Sequence, residues 1–155
     1  MTTHNNSMIY IAHRGNINGR NVEEENRPEY ILNALEQGYD VEIDIRHHKG
    51  RIYLGHSEPQ YKIDKDFLKA DGLWIHCKDI MAAERMIEWG EDINWFWHQR
   101  DYMTITSKGH VWCYPGKEIR GAIINDFSQN YLTKNNIRNV YSGICSNNIE
   151  DWKNL

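Results

Sequence analysis

Residues 38–56, GYDVEIDIRHHKGRIYLGH, decide the fold. Val41, Ile43 and Ile45 alternate with Asp40, Glu42 and Asp44, so in a strand the apolar side chains share one face and the carboxylates the other. An exposed edge strand would carry those carboxylates at little cost, whereas a strand covered on both sides would bury them. The flanking sequence bears on the choice. RPEYILNALEQG, just upstream, reads as a helix with Pro28 in its first turn, apolar spacing at Tyr30, Ile31, Ala34 and Leu35, and Gly38 as its stop. MIYIAH before it is a strand that ends in a turn at RGN, and HHKG followed by RIYLGH reads as a turn and a hairpin arm. Strand, helix, strand is how a parallel sheet begins.

Downstream, GLWIHCK is a strand and IMAAERMIEWG a helix with Ile80, Ala83, Met86 and Ile87 as its apolar positions. NWFWH, MTIT, HVWCYP, GAIIN and NVYSGIC follow as further strands, joined by segments too short for long helices. With the arm 51–55 set aside, eight strands are counted. The expected fold is therefore α/β: a compact (β/α)8 TIM-type barrel whose helices are short or degenerate in the second half. It is expected to span residues 8–155 as a single domain, after a disordered tail at 1–7.

Composition narrows the function classes. The chain has 155 residues, of which 40% are hydrophobic and 26% charged, the balance of a folded globular protein. Its net charge of −4, with both signs interspersed, offers no basic stripe for a nucleic-acid backbone. No apolar run reaches the ~18 residues of a spanning helix, and MTTHNNSMIY has neither the basic nor the apolar region of a signal peptide. A cytoplasmic protein acting on a small molecule, with no nucleic acid and no stable membrane insertion, is expected. Cys77, Cys113 and Cys145 lack metal-type spacing and are expected as reduced thiols packed in the core.

In a barrel the inward residues fill a low-dielectric interior, so Glu42 and Asp44 would be costly there without a cation, a basic partner or a proton. Parity in IYIAH places Ile9, Ile11 and His13 on one face, and in LWIHCK it aligns Trp74, His76 and Lys78. Three strand ends can thus bring His13, the Glu42 and Asp44 pair, and His76 with Lys78 to one mouth, while the hairpin returns His56 to it. Hard oxygen ligands for a divalent ion, cations for a phosphate and two imidazoles for proton transfer are the parts of a phosphodiesterase.

AHRG at 12–15, EEN at 24–26, VEIDI at 41–45 and LGH at 54–56 resemble, in order and approximate spacing, the glycerophosphodiester phosphodiesterases of the phospholipase C-like phosphodiesterase barrels. The chain looks like a shortened member, and the resemblance covers residues 8–58. It implies a Ca²⁺- or Mg²⁺-dependent barrel of lipid metabolism that hydrolyses a small phosphodiester by general acid–base catalysis. It matches His13 to the family's general base and His56 to its general acid, Glu42 and Asp44 to its metal pair, and Arg14 to its phosphate contact. Glu25 and Asn26 match an element near metal and substrate, and Lys78 matches a strand-borne lysine. Ser57 stands where the family usually has Asp. His76 stands where it supplies a carboxylate, so Mn²⁺ or Zn²⁺ is favoured if His76 is a ligand. The alternative expectation is a catalytically inactive barrel that binds a phosphorylated small molecule. His47 and His48 are expected at the surface of a turn, and His98 and His110 belong to no motif.

Overall fold

The computed structural model describes residues 7–90, 92–126 and 134–155. Apart from Ser7, the tail expected to be disordered lies outside the described residues. The first elements are β1 (Ile9–His13), α1 (Pro28–Glu36), β2 (Asp40–His48), β3 (Arg51–Leu54), β4 (Tyr61–Ile63) and α2 (Lys65–Leu68). They are followed by β5 (Leu73–Cys77), α3 (Ile80–Trp89), β6 (Trp95–Phe96), β7 (Met103–Ile105) and β8 (Val111–Cys113). The chain closes with β9 (Ile123–Asp126), α4 (Lys134–Val140), β10 (Gly143–Ser146) and α5 (Ile149–Asn154).

One sheet joins the strands, and its parallel part runs β6-β5-β2-β1-β10-β9-β8. β2 lies inside it. Its residues 40–42 pair with β1 on one side and residues 41–45 with β5 on the other, and its last four residues pair antiparallel with β3. The carboxylates of the opening stretch are therefore not on an edge. Lys49 and Gly50 turn the chain between β2 and β3 with φ of 46° and 77°, the left-handed pair that suits the twist of a two-residue hairpin. β3 continues to β4, again antiparallel.

The two faces of the sheet carry different cores. Val41, Ile43, Ile45, Ile75 and Ile144 pack against Ile31 and Ala34 of α1, Ala82 and Met86 of α3, and Ile149 of α5. On the opposite face Ile11, Trp74, Phe96, Trp112, Ile123 and Cys145 form a second cluster. Phe96 stacks on Trp112 at 4.6 Å between ring centroids, and Trp112 lies 5.8 Å from Trp74. Each such buried side chain contributes about 1.5–3 kcal/mol relative to exposure. The backbones converge at the base of this cluster. A Cβ on Gly143 would meet Ile123 Cδ1 at 2.6 Å and the Ile9 carbonyl at 2.8 Å.

Several sequence expectations are altered. MTIT is a strand, but as β7 it runs antiparallel on β8, because residues 106–110 make a tight turn and a parallel pair needs a crossover of about a dozen residues. Among the described residues no ladder joins β6 to β8; the Ser107 N–H instead donates to the Trp95 carbonyl at 2.8 Å, and Trp95 N–H donates to Ser107 Oγ at 2.9 Å. NVYSGIC is helix at Val140 and strand only from Gly143. In α3 the buried positions are Ala82 and Met86, while Ile80 and Ile87 are 68% and 67% exposed. Asp79 caps that helix by accepting from Ala82 N–H at 2.8 Å, which turns the small Ala82 toward the sheet so that the backbone can approach. Cys77, Cys113 and Cys145 are free and buried, as expected. Among the described residues no helix is long and apolar enough to cross a membrane.

Candidate functional site

The predicted residues converge above the aromatic cluster. A cavity of about 300 Å³ is lined by His13, Arg14, Glu42, Asp44, His56, His76 and Lys78. A groove of about 620 Å³ among Ile52, Lys62, Phe67 and Trp89 is larger, yet none of these groups lines it. Chemistry, not size, distinguishes the smaller one.

At the end of β1 the chain turns abruptly. Arg14 has φ of 56° and its N–H donates to the Glu42 carbonyl at 2.8 Å; Gly15 follows at φ 87°, where a Cβ would come 2.7 Å from the Tyr30 ring. This turn aims the Arg14 guanidinium back at β2. Its Nε lies 3.0 Å from Asp44 Oδ2 and its Nη1 3.0 Å from Glu25 Oε2. Asn26, at φ 62°, clamps Asp44 from both sides, donating from Nδ2 to Oδ2 and accepting the Asp44 N–H on Oδ1, both at 3.0 Å. Glu25 also accepts from Asn16 and Arg20 at 3.1 Å each. Burial opposes its ionisation, but these donors, Arg14 first, hold its carboxyl below the usual range. Glu25 and Asn26 thus stand behind the carboxylates as supports, and Arg14 is committed to Asp44 and Glu25. Lys78 reaches the cavity from the end of β5 with no carboxylate in ion-pair range among the described residues.

Glu42 and Asp44 are 2% and 1% exposed, and with His76 they present ligand atoms that all lie within 4.8 Å of one another. His76 Nδ1 is 3.6 Å from Glu42 Oε1 and 3.6 Å from Asp44 Oδ1. Its Nε2 donates to the His98 carbonyl at 2.9 Å, and its ring stacks on Phe96 at 4.8 Å. A carbonyl can only accept, so the neutral ring keeps its lone pair on Nδ1, facing both carboxylates. Among the described residues Glu42 Oε2 is buried without a hydrogen bond, 3.7 Å from His13 Nε2. Electron pairs facing one another in a dry pocket repel unless a cation lies among them. The second ring nitrogen on a backbone carbonyl is also how metal-binding histidines are oriented. The residues fit a divalent ion held by two carboxylates and one imidazole. Burial opposes ionisation of Glu42; once their rings are protonated, His76 as a hydrogen-bond donor and His13 by its charge, together with Arg14, outweigh it and bring its carboxyl down to about 2.

Asp40, the third carboxylate of the opening stretch, lies at the far end of β2 and accepts from Trp74 Nε1 at 2.8 Å, so it belongs to the base rather than the mouth. His56 arrives by the hairpin. Arg46 donates to its carbonyl from Nε at 2.9 Å and Nη2 at 2.7 Å, and the Gln60 N–H donates to the Leu54 carbonyl at 2.9 Å, closing the loop behind it. Burial lowers the pKa of the His56 ring, with Arg14 and Lys78 acting in the same direction and Asp44 against it. A smaller recess of about 170 Å³ shares Arg14 and His56 with the main cavity and extends to Arg20, Ser57 and Gln60.

The second half adds lining residues that no sequence motif assigned to the site: His98, Gln99, Trp112, Tyr114, Pro115 and Asn125 share the cavity with His56. Asn125 had a signal, since parity with Ile123 in GAIIN puts it inward at a strand end, and its Oδ1 is buried without a partner among the described residues. Asn147 had none. It follows β10 in a turn and its Oδ1 accepts from His13 Nδ1 at 2.8 Å. His48 is exposed, as expected, whereas His47 is half-buried; both end β2 rather than forming the turn, and the His47 N–H donates to Asp79 Oδ2 at 2.9 Å.

No protein-family model and no curated protein sequence matches the chain. Among solved structures, the crystal structure of glycerophosphodiester phosphodiesterase from Thermotoga maritima is similar, with a TM-score of 0.56, 15% identity, and coverage of 96% of this chain and 98% of that one. The likeness is one of fold.

Proposed function

We propose that this chain is a metal-dependent phosphodiester hydrolase, built on a compact TIM-type barrel, that acts on glycerophosphodiesters or a related small phosphodiester. The observation that carries the reading is the cluster of Glu42, Asp44 and His76 in one cavity with His13, His56 and Lys78. The likeness of fold to a glycerophosphodiester phosphodiesterase supports both the barrel and the reaction class.

Glu42, Asp44 and His76 would hold the ion. The bound ion supplies Lewis-acid polarisation of a phosphoryl oxygen. Two carboxylates alone would favour Mg²⁺ or Ca²⁺; the imidazole lone pair in the same set favours Mn²⁺ or Zn²⁺. Lys78 brings its charge to the phosphate. Arg14, neutralised by Asp44 and Glu25, fixes the carboxylates rather than the substrate. His13 and His56 share the proton transfers, one ring taking a proton from the attacking water as its oxygen bonds to phosphorus and the other giving one to the leaving alkoxide as the ester P–O bond breaks. Asn125 Oδ1, a buried acceptor without a donor among the described residues, suits a hydroxyl of the substrate.

The test is hydrolysis of glycerophosphocholine, glycerophosphoethanolamine and bis(p-nitrophenyl) phosphate with Mg²⁺, Ca²⁺, Mn²⁺ and Zn²⁺ in turn. Turnover that needs an added ion and fails in His13→Ala and Glu42→Gln is the expected result. If all three substrates stay intact with every ion, the chain is a binder of phosphorylated small molecules and not a hydrolase.

A further inference from the structure

His13 is backed by a chain of side-chain amides whose polarity is forced. Asn16 is fully buried and its side chain makes four hydrogen bonds. Its Nδ2 donates to Glu25 Oε1 at 3.1 Å and to Asn147 Oδ1 at 2.9 Å. Its Oδ1 accepts from the Asn21 backbone N–H at 3.1 Å and the Tyr30 hydroxyl at 3.0 Å. A backbone N–H only donates, and the carboxylate of Glu25, held ionised by Arg14 and Arg20, only accepts. The Asn16 amide therefore has one orientation. Turned over, it would set its oxygen against the Glu25 carboxylate and its NH2 against the Asn21 N–H.

The constraint passes along the chain. With Asn16 Nδ2 directed at it, the Asn147 atom in contact must be oxygen, and that oxygen lies 2.8 Å from His13 Nδ1. Nδ1 must then carry a hydrogen. Nε2 is left as the nitrogen on the Glu42 side, 3.7 Å from Oε2. The turn that presents Asn147 is itself pinned: its carbonyl accepts from Gly19 N–H at 2.8 Å, and Ser146 Oγ accepts from Asn148 N–H at 3.0 Å while donating to Asp126 at 3.1 Å.

We infer that Asn147, locked in orientation by Asn16, is a positioning residue that confines proton exchange at His13 to Nε2. Asn147 does not line the cavity, so it acts through His13 and not on the substrate. The consequence for rate rests on the proposed hydrolysis; the tautomer is a property of the folded chain alone.

The test reads the two separately. Long-range ¹H–¹⁵N correlation spectra of chain labelled at histidine, recorded at about pH 9, well above the ordinary imidazole pKa of roughly 6.5, give the tautomer of His13, assigned by loss of its signals in His13→Gln. The expected result is hydrogen on Nδ1 in the wild type and in Asn147→Asp, which keeps the acceptor, and a shift toward the Nε2–H form in Asn147→Leu. With bis(p-nitrophenyl) phosphate, Asn147→Leu should lose about ten- to a hundredfold in kcat at little change in KM, part of the 10²–10⁴ that a positioned acid–base group contributes, and Asn147→Asp should recover most of it. An Nε2–H or doubly protonated ring in the wild type overturns the inference without any variant having to fold. So does an unchanged tautomer in Asn147→Leu. The expected tautomers with no hydrolysis by the wild type would sink the enzyme reading and leave the role of Asn147 standing.

Discussion

The arc of β1, β2 and β5 and the arc of β6, β8 and β9 face each other across one cavity. The first has strands of five to nine residues and delivers His13, Glu42, Asp44 and His76 from their inner faces. The second has strands of two to four residues and delivers Phe96, Trp112 and Asn125. α1 and α3 cover the outer side of the first arc, so its backbone is fixed from both sides and can hold buried carboxylates at set distances. Short strands give less such restraint, and there the interior is filled by stacked rings whose worth is area rather than direction. Charge is placed where the scaffold is stiffest.

The comparison breaks most readily at the imidazoles. His13→Ala and His56→Ala are each expected to lower kcat by about 10²–10⁴, while Gln99→Ala on the opposite wall stays within about tenfold. Equal losses at all three would mean that the second arc takes part in the chemistry. The converse concerns stability. Trp112→Ala should cost about 3–5 kcal/mol in urea unfolding, as large aromatic truncations in cores do. Glu42→Gln should lower divalent-ion affinity in calorimetry by at least about tenfold, since outer-sphere changes alone reach that size. An ion affinity that Trp112→Ala reduces more than Glu42→Gln does would reverse the division.

A smaller effect comes with pH in the ion-free chain. Glu42 titrates at about 2 in the fold against an ordinary 4.5, so its stabilising contribution is complete above about pH 4.5 and is lost as pH falls through that value toward 2. Urea midpoints between pH 6 and 2 should fall more steeply for the wild type than for Glu42→Gln; parallel curves would remove Glu42 from the account. The least difference is expected between the thiols. Burial pushes Cys77 on the first arc up to about 12 and Cys113 on the second up to about 11, and both should resist a thiol-specific dye at pH 8 until the chain is unfolded. Rapid reaction of one alone would mark the arc that opens.

What was legible in the sequence was what local rules determine. Alternation in DVEIDI placed Glu42 and Asp44 on one face, and the helix and strand around it argued for burial; both follow from side-chain parity and hold in the structure. Four short motifs brought His13, Glu42, Asp44 and His56 to one mouth. The second half resisted because its strands are too short to display a period, so β7 was counted as a parallel stave and β4, α2, α4 and α5 were passed over. α3 misled for a different reason. Ile80 and Ile87 satisfy a helical spacing, but the cap at Asp79 and the small Ala82 decide which side docks. Asn147 was hidden because a turn residue whose partner lies 134 positions away leaves no local trace.

The hairpin that returns His56 also separates that residue from the loop after it. His56 is anchored through its own carbonyl to Arg46, and the Gln60 N–H bond to Leu54 ties off residues 57–60, all of them exposed. Those four residues are a port for added sequence. A segment grafted between Ser57 and Gln60 would rise beside the recess that adjoins the cavity while leaving the imidazole on its tether, so the molecule can acquire a roof, and with it selectivity over what enters, without moving His56.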